Sequence, residues 1–500
     1  MSTTSSTVLV VGAGPAGLTV ACDLLRRGID VRVVGAAPGV FGGSRAKGIQ
    51  PRTVEVLDDL GVLEDLSQHA TTYPKLGLHL GPITVKRTMI ALHEASEDVP
   101  HANTLLVGQY DTDAALFRRL EALGGRVEFD TRLTSLTQAE NGVTAVLDGP
   151  AGTVEAHADY LVGADGGAST VRKSLAIPFE GTTDEADRMI VADLVLTGLS
   201  RDLWHVWPGL GGRFMALCPM PGGELFQLML KLKPGDAAEA TPEALTTLIH
   251  AYRSARSVQV SKVRWSSVWR PNIRLAQRYR DGRVFLVGDA AHVHPPTGAQ
   301  GLNTGVQDAY NLGWKLGQVI AGAPEALLDT YEDERQPVAA GVLGLASKLY
   351  ESTRTRPAAA MKRGDQERQL SLSYRGGPLA LGVADDAAGV RAGDRAPNVE
   401  WTDPEAGPQH LIDRQRGPHF TLLAIGDEAV AGLTDITWPD SGAALHTVAI
   451  PDAAAAHVAQ AYGTTAPAQI LIRPDGYLAY ATTDGWGEAL AAFAGGALPA

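Results

Sequence analysis

A β-branched, aliphatic run from Thr7 to Val11 passes directly into Gly12-Ala13-Gly14-Pro15-Ala16-Gly17. A helix-forming stretch, Leu18 to Arg27, follows, closes at Gly28, and gives way to a second aliphatic run, Val31 to Val34. A strand, a GxGxxG turn, a helix and a strand in this order form a βαβ unit, which constrains the fold more than any other feature of the chain. The first glycine permits the tight turn, the second lets a pyrophosphate approach the backbone, and the third lets helix and strand pack closely. A parallel sheet with a dinucleotide at the helix N-terminus is the expectation. One residue departs from the pattern. The acid that usually ends the second strand and holds a ribose hydroxyl is replaced by Gly35, followed by Ala36 and Ala37. Loss of that charge-assisted hydrogen bond weakens adenosine binding by roughly 1.5–3 kcal/mol.

Two later segments repeat the form strand, acid, glycine, helix. Ala158 to Val162 runs into Gly163-Ala164-Asp165-Gly166-Gly167, and Ser169, Val171 and Arg172 begin a helix. Val284 to Val287 runs into Gly288-Asp289, then His294-Pro295-Pro296-Thr297-Gly298, then a helix starting near Gln300-Gly301-Leu302-Asn303. Unpaired backbone N–H groups and the positive dipole end make such a terminus a ligand site. Arg45, after the Gly42-Gly43 turn, and Gln109, at the head of a helix from Thr112 to Leu123, are placed to join it.

Between these junctions the pattern changes. Residues 61 to 104 are irregular, with strands expected at Leu76 to Leu80 and Thr88 to Leu92. Leu133 to Gln138 and Val143 to Leu147 read as a hairpin turning at Asn141-Gly142. Residues 178 to 268 are strand-rich: Met189 to Leu196, Trp204 to Trp207, Gly212 to Pro219 and Glu224 to Lys233, with a Pro221-Gly222-Gly223 turn and a helix over Thr241 to Ala255. A mostly antiparallel sheet with one face toward a pocket is expected. Trp204, His205, Trp207, Arg213, Met215, Phe226, Gln227 and Met229 are the candidate lining residues, and Trp204, Trp207, Met215, Phe226 and Met229 read equally as ordinary sheet core. The segment Ala323 to Ser352 is helical, and residues 353 to 390 read as a linker. Strands at Phe420 to Ile425, Leu445 to Ile450, Gln469 to Ile472 and Tyr477 to Tyr480, with helices between, make a small α/β domain lacking Cys-x-x-Cys.

The net charge of -13 lacks the basic footprint of a nucleic-acid binder. No apolar run reaches the ~18 residues of a membrane span. The start, MSTTSSTVLVV, reads as a frayed tail before a strand. The two cysteines, Cys22 and Cys218, read as buried small residues in a reducing, cytoplasmic setting. No Cys/His spacing suggests a metal, and His292 and His294 lack a third ligand.

Taken together, Gly12-x-Gly14-x-x-Gly17, Asp165-Gly166 and Gly288-Asp289 resemble the single-component FAD-dependent aromatic hydroxylases, over nearly the whole chain. With Tyr374-Arg375, Arg395-Ala396-Pro397 and Arg473-Pro474-Asp475-Gly476, the tail is similar to the subgroup of phenol hydroxylases and bacterial aromatic polyketide hydroxylases. The resemblance implies an α/β fold: a Rossmann-like FAD domain (residues 1–177, with part of the substrate domain near 75–100, continued over 269–385), an inserted substrate sheet (178–268), and a thioredoxin-like C-terminal domain (386–500). It implies that Gly12, Gly14, Pro15, Ala16 and Gly17 cradle the FAD pyrophosphate, and that Arg45 and Gln109 contact phosphates and ribityl chain. Asp289, beside Gly288, would accept a ribityl hydroxyl. Gly298, Gln300, Gly301, Leu302 and Asn303 would present backbone N–H groups to the flavin pyrimidine edge. Asp165, Gly166 and Arg172 would serve FAD and NAD(P)H together, with NADPH favoured. Pro295 and Pro296 would shape the turn beside the flavin ring, where, with Arg45, they position the chemistry.

The implied reaction transfers one oxygen of O2, through a flavin C4a-hydroperoxide, to a polycyclic aromatic substrate. A homodimer is compatible with it; nucleic acid, membrane and metal are not called for. No general base is evident, and His205, Arg213, Gln227 and Trp269 are the pocket candidates. Baeyer–Villiger insertion, antibiotic modification, a redox-silent FAD protein and a plain NAD-dependent dehydrogenase are the alternatives.

Overall fold

The computed structural model describes residues 3–209, 213–233, 235–236, 239–295, 298–355, 365–382, 389–403 and 406–499. The first strand, Thr3–Val11, lies between Val31–Val34 and Gly152–Gly163, all parallel. Val127–Glu128 and Val284–Leu286 extend this parallel order on either side. Crossover helices cover the sheet, which is why its strands read as near-continuous apolar runs. Gly152–Gly163 is long enough to serve two neighbours. Its C-terminal end pairs with Val284–Leu286, and its first half pairs with the antiparallel hairpin Arg132–Ala139/Gly142–Gly149. The carboxyl ends of the three central strands therefore meet at one edge, where open α/β sheets hold ligands.

A second sheet of seven strands runs in the order Gln259–Trp269, Met189–Thr197, Leu225–Lys231, Phe214–Pro219, Leu203–Pro208, Lys75–Leu80, Ile83–Arg87. The strand expected from Gly212 begins at Phe214, and residue 212 lies outside the described residues. The helix expected over Thr241 to Ala255 is Pro242–His250 followed by a 3-10 turn, Arg253–Ala255. The strand expected at Thr88 to Leu92 is instead Ile83–Arg87. Gly81, at φ +66°, and Pro82 turn the chain within two residues, so Leu80 already pairs with Ile83.

The C-terminal sheet has the order Leu445–Ile450, Phe420–Ile425, Ala468–Ile472, Leu478–Thr482, with the first pair parallel and the others antiparallel. With helices Asp452–Ala461 and Trp486–Ala497 this is the thioredoxin-like arrangement, here without a cysteine. Buried ionic clasps dock it. Arg473 bonds Glu334 at 2.6 Å and Asp475 at 2.6 Å, while Lys315 bonds Glu334 at 2.7 Å. Trp314 Nε1 and Asn311 Nδ2 donate to the same Asp475 carboxylate, each at 3.1 Å. In a second clasp, Glu55 takes Arg52 at 2.6 Å and Arg395 at 2.7 Å. Among the described residues no helix is long and apolar enough to cross a membrane, and no group of three or more His, Cys, Asp or Glu is placed to hold a metal.

Candidate active site

The first glycine turn is built against the second junction. Gly12 adopts φ +117°, and a Cβ there would lie 2.2 Å from the Ala164 carbonyl oxygen. A Cβ on Gly17 would lie 1.9 Å from the Gly12 oxygen. Gly14 is different, because a Cβ there would meet nothing within 4 Å. Gly14 therefore faces an open groove at the head of helix Pro15–Leu25, which begins at Pro15 and carries neither a side-chain cap nor an acid in its first turn. The N–H groups of that turn are left for a ligand, and the dipole favours an anion. Ala16 packs on Gly288, and Gly288 in turn packs on Gly305. The glycine turns thus nest into one another with only backbone and methyl groups between them.

Two of the charged candidates are engaged inside this frame. Asp165 accepts the Ser169 hydroxyl at 2.5 Å and the Thr170 and Val171 N–H groups at 2.6 and 3.1 Å, so it caps helix Thr170–Ser174. Gly166, at φ +79°, turns the chain beside it. Arg172 is 4% exposed and donates to the Ala290 carbonyl at 2.8 Å and the Gly167 carbonyl at 3.0 Å, lying 3.8 Å over the Phe179 ring. It rivets the second junction to the third. By contrast, Asp289 and Arg45 stand 3.9 Å apart with side chains open to solvent. Gln109 donates its backbone N–H to Ala46 at 2.8 Å and its side-chain amide to Asp113 at 3.2 Å. Burial pushes the Asp113 carboxyl up to about 8.

The turn before the long helix Gly301–Ile320 is held by side chains so that its backbone is presented. Gln300 Nε2 donates to the Gly298 oxygen at 2.8 Å and to the Glu367 oxygen at 3.0 Å. Asn303, fully buried, donates to the Gly48 and Ala299 oxygens at 2.8 and 2.6 Å and accepts the Gln50 N–H at 2.8 Å. Leu302 is half-buried beside them. The helix has no acid in its first turn and no side-chain cap. The Pro295 oxygen accepts His294 Nδ1 at 3.0 Å, and Pro296 lies outside the described residues. Gly35 packs its α-carbon against Ala13, Phe129 and Val127, so an added Cβ would come within 3.3 Å of Ala13.

Strand parity divides the sheet candidates. Trp207, Met215 and Phe226 point to the back and pack with Leu245 and Ile249 of helix Pro242–His250. His205 shares that parity; its Nδ1 meets His79 Nε2 at 2.9 Å, and burial lowers its pKa. Trp204, Gln227 and Met229 lie on the front with Val206 and Ala216. The Arg213 carbonyl takes the Gly209 N–H at 2.9 Å, and Trp269 ends its strand opposite Met189. The front face opens at one end into a cleft of about 530 Å³, lined by His69, Tyr110, Val195, Leu225, Lys262 and Arg264 among others.

Of a buried polar cluster on this front face, the sequence singled out Gln227 but not its partners Ser44, Lys47 and Asp193. Asp193, fully buried, accepts the Ser44 N–H at 2.7 Å and the Ser44 hydroxyl. Gln227 Nε2 donates to the Ser44 oxygen and hydroxyl, each at 2.7 Å, and Lys47 Nζ donates to Gln227 Oε1 at 2.5 Å. The cluster fastens the loop carrying Arg45 to the sheet. Its one sequence signal is a lysine set in the otherwise apolar and glycine-bearing stretch Ala46 to Ile49.

A fold with one glycine-turn nucleotide groove, an inserted sheet and a thioredoxin-like tail defines a class of flavoprotein, and comparison with known proteins agrees. The model of the FAD binding domain matches residues 5–346, and that of the aromatic-ring hydroxylase C-terminal domain matches residues 390–497. The chain is 39% identical over 486 residues to a flavin-dependent monooxygenase of Mycobacteroides abscessus, covering 96% of this chain and 98% of that one. It is 34% identical over 512 residues to the 12-dehydrotetracycline 5-monooxygenase/anhydrotetracycline 6-monooxygenase of Streptomyces rimosus, covering 97% of each. The crystal structure of aklavinone-11 hydroxylase with FAD and aklavinone matches with a TM-score of 0.83 at 28% identity, covering 99% of this chain and 100% of that one. The chain belongs to the FAD-dependent aromatic-ring hydroxylase family and is an FAD-dependent monooxygenase.

Proposed function

We propose that the protein hydroxylates an electron-rich polycyclic aromatic substrate, taking one oxygen atom from O2 and its electrons from NAD(P)H, with NADPH the expected donor. The observation that carries this reading is the adjacency of two surfaces. The loop Ser44–Gln50 is bonded on one side to the Gly298–Asn303 turn and on the other to the front of the second sheet. A flat aromatic ring on that front face would have Trp204, Met229, Val206 and Ala216 beneath it. The names of the tetracycline- and aklavinone-acting relatives fit such a ring system.

The residues fit FAD. The groove at Gly14 would take the pyrophosphate, with Arg45 countering its charge and Asp289 accepting a sugar hydroxyl. The Gly298–Asn303 turn would face the flavin edge, where the positive end of helix Gly301–Ile320 favours negative charge by roughly 0.3–2 kcal/mol. When bound, FAD supplies hydride acceptance and oxygen activation. The chain orients the substrate, keeps water from it, and holds the cofactor edge still. Gly35 leaves the adenosine ribose without its usual acid, so the pyrophosphate and flavin ends carry more of the affinity.

The test is an absorbance spectrum of the purified protein followed by oxygen-consumption assays with NADPH or NADH and a panel of polycyclic phenols. A bound flavin whose reduction accelerates at least tenfold with one phenol, yielding a product heavier by one oxygen, is the expected result. A protein with no flavin band and no gain on adding FAD would overturn the reading. Flavin that NAD(P)H never reduces would point to the redox-silent alternative.

A further inference from the structure

Lys47 is a buried lysine whose amine has no carboxylate partner among the described residues. It is 9% exposed, its amine bonds Gln227 Oε1 at 2.5 Å, and it stands 4.2 Å over the Trp204 ring. Lys315 is buried too but has Glu334 at 2.7 Å. The acid on the same sheet face, Asp193, is occupied by both donors of Ser44. Gln227 spends its own N–H groups on Ser44, which fixes its Oε1 as an acceptor. Lys47 therefore gives one hydrogen to Gln227, and a neutral amine keeps a lone pair to spare. Burial favours that neutral form, against the pull of Cys218 and Asp193 from the facing strands. On the loop side Tyr73 donates its hydroxyl to the Lys47 carbonyl at 2.8 Å.

A second polar group waits on the same face. Trp204 Nε1 is buried and has no hydrogen-bond partner. Around it the wall is apolar, formed by Met229, Ala216 and Val206. On the other side, Gly48 is pressed against Ala299, where a Cβ would come within 2.7 Å of the alanine methyl, and its carbonyl takes Asn303 Nδ2 at 2.8 Å. Lys47 thus reaches the sheet wall with its amine, while the next residue of its backbone is held against the turn assigned to the cofactor edge.

We propose that Lys47 is the base of the reaction: its neutral amine takes the proton of a phenolic hydroxyl seated on this face, and the Trp204 indole N–H donates to the phenolate oxygen that results. The O–H bond breaks, an N–H bond forms on Nζ, and the electron pair stays on the oxygen and spreads into the ring, enriching the carbon to be oxidised. The step consumes no oxidant. The proposal rests on the hydroxylase reading and narrows the substrate to a ring bearing an acidic hydroxyl.

The test uses the flavin-loaded protein and 1,8-dihydroxyanthraquinone, whose phenolate absorbs to the red of oxidised flavin. Bound to the wild type at neutral pH, the probe is expected to show the phenolate band although the free probe is un-ionised. Lys47→Met, with wild-type flavin content, is expected to bind it without that band. A Lys47→Met protein that still ionises the probe, or a wild type that binds it un-ionised, overturns the assignment.

Lys47→Arg covers the case in which methionine does not fold, since arginine keeps a long side chain with a donor for Gln227 but is always protonated and cannot accept the proton of the phenol. With arginine, ionising the probe must release one proton to the buffer, seen as a binding heat that varies with buffer ionisation enthalpy. The wild type is expected to bind with no such release, and an equal release from both proteins overturns the base role. Phenol-stimulated NADPH oxidation with unchanged ionisation in Lys47→Met sinks Lys47 alone. A flavin-bearing wild type that binds no phenol sinks the hydroxylase reading with it.

Discussion

Replacing Arg473 with methionine is expected to destabilise the protein by ~3–5 kcal/mol, the usual cost of leaving buried charges without a partner. Arg473 is fully buried and supplies charge to both Glu334 and Asp475, which lie on different segments. With the guanidinium gone, Glu334 keeps Lys315 and the neutral donor Asn311, and Asp475 keeps the neutral donors Asn311 and Trp314. Denaturant melts should show the C-terminal unit separating as an early transition, and a melt superimposing on the wild type would sink the clasp. The same cluster sets an acid limit. Burial would raise the Glu334 carboxyl, but Arg473 and Lys315 outweigh it and hold it at about 2, against an ordinary 4.5. A depressed acid contributes stability that is complete above the unfolded value and is lost as pH falls through the folded one. The wild type should therefore lose stability between about 4.5 and about 2, and Arg473→Met should lose less over that window.

Gly14→Ala and Gly17→Ala are expected to separate binding from folding. At Gly17 a methyl meets backbone, the Gly12 oxygen at 1.9 Å, and the turn itself must distort. At Gly14, where φ is -88°, a methyl meets no protein atom within 4 Å. Gly14→Ala should then melt like the wild type yet bind FAD roughly ten- to hundredfold more weakly, because a methyl forced into a close contact costs ~1–3 kcal/mol. Flavin fluorescence titration of the apoprotein measures this. Wild-type affinity in Gly14→Ala would move the pyrophosphate out of this groove.

Features that repeat locally could be read before the fold was seen. The turn after Val11, the hairpin at Asn141-Gly142 and the strand Phe420–Ile425 follow from short-range periodicity and turn chemistry. Parity along Leu225–Lys231 was legible too, since Phe226, Leu228 and Leu230 alternate with Gln227 and Met229. Which parity faced the pocket was not, because that depends on where helix Pro242–His250 packs. The local bonds of Asp165 were legible as well, since Ser169 and Thr170 lie near enough in sequence for its carboxylate to hold the start of the helix. The clusters that matter most had no local mark. Ser44 meets Asp193 across 149 residues, Lys47 meets Gln227 across 180, and Arg473 meets Glu334 across 139.

Every residue of the long helix from Asn303 to Gln318 is buried. Its beginning is tied to Gly48, and its end is tied to the last part of the chain, through Trp314 to Asp475 and through Gln318 to the Ala443 N–H at 2.5 Å. On a ribosome, where the chain emerges from its amino end, this sets a calendar. The nucleotide turn at Gly12 is among the first segments to emerge, but the long helix lacks its bonds to Ala443 and Asp475 until those residues arrive. FAD is therefore expected to be loaded late in synthesis, and a nascent chain stalled before Arg473 is expected to carry none.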